Sequence, residues 1–106
     1  MPSQLNHRIE YDSSVVRVCL SGEIDLAVVE QLHELLTSSS RQQPGLPLRV
    51  DMGGVTFIDS SGIRAFVHAR DRVAAGGGEL LLVNVAGMAM RVLQVTGVYG
   101  YLCETR

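Results

Sequence analysis

Val55-Thr56-Phe57-Ile58-Asp59-Ser60-Ser61-Gly62-Ile63 is the stretch on which the fold turns. Before it, Leu46 to Met52 is an apolar run that reads as a buried strand, with Gly53-Gly54 as a turn and Val55 to Ile58 as a link. After it, Ile63, Phe66, Val67, Arg70 and Val73 recur at helical spacing, which predicts a helix from Ser61 to about Ala75. Ser60 or Asp59 is then the N-cap, and Ser61 falls in the first turn, beside amides that lack partners within the helix. Negative charge added there meets the positive end of the helix dipole. Gly62 leaves the serine uncrowded. The junction suits a serine presented for modification, although a pair of residues that only closes the helix has the same sequence.

Working outward, His7 to Tyr11 and Val15 to Leu20 read as two strands of a hairpin around Asp12-Ser13-Ser14, the second ending at Ser21-Gly22. Asp25 caps a helix whose apolar positions are Leu26, Val29, Leu32, Leu35 and Leu36. Pro44-Gly45 closes that segment. Gly76-Gly77-Gly78 follows a helix instead of preceding one, so it reads as a C-cap and not as a phosphate cradle. Leu80 to Val83 is continuously apolar, as in the centre of a parallel sheet. A last helix, about Ala86 to Thr96, places Met88, Val92 and Val95 on one face, and Tyr99 to Cys103 reads as an edge strand. The order β-β-α-β-α-β-α-β predicts an α/β fold with a mixed sheet, in a single domain over residues 1–106 with a core from about 7 to 103.

Bulk properties narrow the function. The chain has 106 residues, 46% hydrophobic and 19% charged, with net charge −2, which fits one soluble domain. All nine cations are arginine and are scattered, so no basic stripe points to direct nucleic-acid binding. No apolar run has membrane-spanning length, and Met1 to Tyr11 lacks a signal-peptide core, so a cytoplasmic protein is expected. Cys19 and Cys103 suit small apolar roles, and no spacing supports a metal site. His7, His33 and His68 share no face or spacing and read as surface residues. With no catalytic constellation, no Gly-x-x-x-x-Gly-Lys loop and no cofactor motif, neither an enzyme nor a nucleotide-binding module is expected.

Four segments in order, Gly22-Glu23-Ile24-Asp25, Val50-Asp51-Met52, Val55 to Ile63, and Arg91-Val92-Leu93-Gln94-Val95-Thr96-Gly97, make residues 13 to 103 similar to a known family. The chain resembles STAS domains of the anti-sigma factor antagonist type. The resemblance implies helices packed largely on one side of the sheet. It also implies a binding protein that engages an anti-sigma factor with serine kinase activity, releases a sigma factor, and is reset by a serine phosphatase. Ser61 matches the family's phosphoacceptor, with Ser60 the lesser choice; Asp25 and Asp59 match acidic positions beside it, and Gly62 completes the contact surface. A STAS accessory subunit of a transporter, clasping an ATPase, is the second function the resemblance allows. Family members usually carry a further helix after the last strand, where this chain reads as ending.

Overall fold

Val16, Val18 and Leu20 alternate with Arg17, Cys19 and Ser21, and that period of two sets the sheet. The computed structural model describes residues 4–103. Its elements are β1 (Leu5–Tyr11), β2 (Val16–Ile24), a 3₁₀ turn (Leu26–Val28), α1 (Val29–Gln42), β3 (Leu48–Ile58), α2 (Ser60–Ala75), β4 (Leu80–Val83), α3 (Gly87–Val95) and α4 (Tyr99–Cys103). They form one domain. The four strands lie in the order β1-β2-β3-β4. β1 is antiparallel to β2, while β2, β3 and β4 run parallel.

Between β1 and β2, Asp12 accepts hydrogen bonds from the Ser14 amide (2.7 Å), the Ser14 hydroxyl (2.9 Å) and the Val15 amide (2.9 Å). Those bonds favour the carboxylate and hold its pKa below the ordinary value. The crossovers β2-α1-β3 and β3-α2-β4 step the same way across the sheet, so a common hand places both helices on one face. That face buries Val16, Val18 and Leu20 of β2 with Leu48, Val50 and Met52 of β3. Leu32 and Leu36 of α1, Phe66 of α2, Leu93 of α3 and Leu102 of α4 complete the core and are fully buried.

Several expectations are corrected. Gly53-Gly54 is not a turn: β3 runs through it. A Cβ on Gly54 would lie 2.6 Å from the Ser21 Cβ, so this glycine permits close approach to β2. Two bulges accompany it, since β3 advances three residues against two between the pairs Cys19–Asp51 and Ser21–Gly54, and two against one between Gly22–Val55 and Glu23–Phe57. β2 likewise continues past Ser21-Gly22 to Ile24. β4 lies at the edge of the sheet, not in its centre. Leu26 is 73% exposed and belongs to the 3₁₀ turn, outside the core stripe of α1. In α3 the buried residues are Ala89 and Leu93, whereas Met88 and Val95 are exposed. Tyr99 to Cys103 is helical and not an edge strand, so the order of the described elements ends in α-α. Val98, Tyr99, Leu102 and Cys103 pack on the core at helical spacing, which a strand would not allow.

Candidate functional site

Ile24 and Ile58 are the last residues of two adjacent parallel strands and pair directly with one another. The next residue on each chain segment is an aspartate. Asp25 and Asp59 therefore leave neighbouring strands at the same rim, and the Asp59 amide donates to the Ile24 carbonyl (3.2 Å) to join them. Each carboxylate caps the helical turn that begins after it. Asp25 accepts from the Ala27 amide (3.0 Å) at the 3₁₀ turn. Asp59 accepts from the amides of Ser61 (2.9 Å) and Gly62 (3.2 Å) at the start of α2. Extended backbone at both aspartates is the ordinary N-cap conformation.

Ser60 is the first residue of α2 and is exposed; Ser61 is the second and is half-buried. Gly62 is buried and faces inward. A Cβ there would lie 2.5 Å from Ile24 Cγ2 and 2.8 Å from Ile58 Cγ1. Its missing side chain thus lets the helix seat on the strand ends, and does not open the serine to a partner as its position in the sequence suggests. The rim also carries exposed apolar groups, Leu26 after Asp25 and Phe57 before Asp59, the latter 37% exposed.

Below the rim a cleft of about 500 Å³ opens between α1 and α2. From α1 it is lined by Val29, Glu30, His33 and Glu34, joined by Leu26 from the preceding turn. From α2 it is lined by Ser60, Ser61, Arg64, Ala65 and His68. The α1 wall is acidic and the α2 wall basic. His33 and His68, read from the sequence as unrelated, thus meet in one cleft because α1 and α2 pack side by side. Ser60, Arg64 and His68 fall at intervals of four residues, a helical signal that the sequence carries and that only the neighbouring wall makes meaningful. His7 lies away from this cleft, on β1. Among the described residues, no group of three or more His, Cys, Asp or Glu side chains is arranged to hold a metal ion. No helix among them is long and apolar enough to cross a membrane.

A family model for the STAS domain matches residues 6–105. The anti-sigma-B factor antagonist of Bacillus subtilis (strain 168) is 30% identical over 93 residues, covering 88% of this chain and 84% of the relative. The solved structure of the anti-sigma factor antagonist SpoIIAA in its unphosphorylated form is similar with a TM-score of 0.75, at 22% identity, covering 95% of this chain and 89% of the other. The Bacillus cell fate determinant SpoIIAA in its phosphorylated form gives a TM-score of 0.66, also at 22% identity, over 95% and 92% of the two chains. At that identity the structural likeness speaks for the fold.

Proposed function

This chain belongs to the STAS domain family, and from that membership we propose that it is an anti-sigma factor antagonist switched by phosphorylation of Ser61. In the unmodified state the rim of Asp25, Asp59, Ser60 and Ser61 docks on an anti-sigma factor and frees the sigma factor. The anti-sigma factor, acting as a serine kinase, transfers the γ-phosphoryl group of ATP to Ser61 Oγ, whose proton leaves to the kinase. A serine phosphatase restores the hydroxyl.

The observation that carries this reading is the juxtaposition at one rim of two carboxylates, two serines and the exposed Leu26 and Phe57. Exposed apolar side chains beside a charged, hydrogen-bonding rim suit a protein-docking surface. The phosphate adds about −1.5 to −2 charges beside Asp59. Like charge in a docking surface repels an acidic partner patch and weakens the complex. The helix itself need not unfold, because its first amides keep their Asp59 cap. The likeness to a relative named as an anti-sigma-B factor antagonist over most of both chains supports the same partner class.

Incubation with the cognate anti-sigma kinase and ATP tests the proposal. One phosphate should appear, and peptide mapping should place it on Ser61. Phosphate on Ser60 instead would move the acceptor by one residue, and no incorporation at all would remove the switch. The same result separates this function from that of a transporter accessory subunit, which has no need of phosphorylation.

A further inference from the structure

Arg64 follows Ser61 by three residues and Ser60 by four, so it stands one turn further along α2, and it lines the same cleft as both serines. The ion pairs among the described residues engage Arg8, Arg41, Arg49 and Arg70; none engages Arg64, which is exposed. A phosphate at the start of a helix ordinarily finds the backbone amides of the first turn. Here the amides of Ser61 and Gly62 already donate to the Asp59 carboxylate. A phosphate on Ser61 competes with Asp59 for those two amides, so a cationic side chain one turn along is the better-placed counter-charge. An anion one turn before a cation is the favourable order along a helix, and a guanidinium presents paired donors that match phosphate oxygens.

We propose that Arg64 is the receptor, within this chain, of the phosphate carried by Ser61. The inference rests on Ser61 being the modified residue. The pair holds the phosphate on the basic α2 wall, away from Glu30 and Glu34 on the opposite wall. Phosphorylation then changes the rim twice: it adds negative charge, and it withdraws the Arg64 cation from any partner. The charged and titratable groups around that phosphate are Asp25 and Asp59 at the strand ends, Glu30, His33 and Glu34 from α1, and Arg64 and His68 from α2. The carboxylates raise the second pKa of the phosphate, and a paired Arg64 lowers it.

Phosphoserine encoded genetically at position 61 of the full chain, followed by phosphorus NMR across pH, reads the pairing without a kinase. The titration midpoint should lie about half a pH unit lower in the otherwise unmodified sequence than with Arg64→Gln. Arg72→Gln removes the same charge at the far end of α2 and should leave the midpoint where it is. Both side chains are exposed, so both variants should fold, as circular dichroism would verify. Coincident midpoints with and without Arg64→Gln would overturn the proposal, as would a shift from Arg72→Gln as large as that from Arg64→Gln. Failure of a kinase to modify Ser61 would remove the proposed switch while leaving a midpoint difference standing. Coincident midpoints beside an intact kinase reaction would remove only the role of Arg64.

Discussion

Asp25 and Asp59 do the same local work, yet their charge and their capping can be separated by substitution. Asp25→Ala removes the acceptor for the Ala27 amide and should lower stability by about 0.5–2 kcal/mol in denaturant unfolding. Asp25→Asn keeps a comparable cap while removing the charge, so it should fold normally. If Asp25 forms part of the docking rim, the asparagine variant should also be a poorer kinase substrate. Unchanged phosphorylation kinetics in folded Asp25→Asn protein would leave Asp25 a structural cap alone. This level of detail was legible in the sequence: Asp-Ser-Ser-Gly before a helical stripe announces a cap and places the serines. The direction in which Gly62 faces was not legible, because it depends on Ile24, 38 positions away in the chain.

At the scale of elements, the seat of α2 on the strand ends depends on that glycine. Gly62→Ala forces a methyl against Ile24 and Ile58 and should cost about 1–3 kcal/mol by overpacking, read as a lower denaturant midpoint. In α1 the Ser39 hydroxyl is buried with no hydrogen-bond partner among the described residues. Ser39→Ala removes that cost and improves helix propensity, so stability should rise by about 1 kcal/mol. In α4 burial pushes the half-buried Cys103 thiol up to about 11, from an ordinary 9.0. Between those values an unfolded chain releases a proton that the folded chain keeps, so this contribution is complete below pH 9 and is lost as pH rises towards 11. The alkaline loss of stability should be shallower in Cys103→Ala, although water around the thiol keeps the difference modest. α4 also shows why some elements were misread. Val98, Tyr99, Leu102 and Cys103 have helical spacing, but a segment of five residues with two aromatics and a glycine has little propensity of its own. Its conformation comes from docking: Leu102 is fully buried, and the Tyr101 hydroxyl donates to Asp71 and accepts from Arg70 (3.0 Å) on α2. Gly53-Gly54 misled for the same reason, since a glycine pair signals a turn unless a neighbouring strand needs its space.

Across the whole molecule, the alternation of strands and helices foretold the mixed sheet, because connection rules leave few other arrangements, while the helices on one face were implied by the family resemblance. The apolar run of β4 suggested a central strand, yet β4 stands at the edge of the sheet. The cleft was invisible in the sequence, since it exists only where the Glu30–Glu34 face of α1 meets the Ser60–His68 face of α2. That meeting makes a serine at a helix start part of a charged surface, and the central claim of the proposed function is that its phosphorylation acts on binding while the core stays intact. Titration calorimetry against the cognate anti-sigma factor, with the unmodified protein and the protein phosphorylated on Ser61, tests that claim most directly when paired with thermal unfolding of both forms. The unmodified protein should bind, and the phosphorylated one should lose affinity by about a hundredfold, with both forms unfolding cooperatively within about 4–8 °C of each other. Equal affinities, or a loss of affinity accompanied by loss of the cooperative transition, would contradict it.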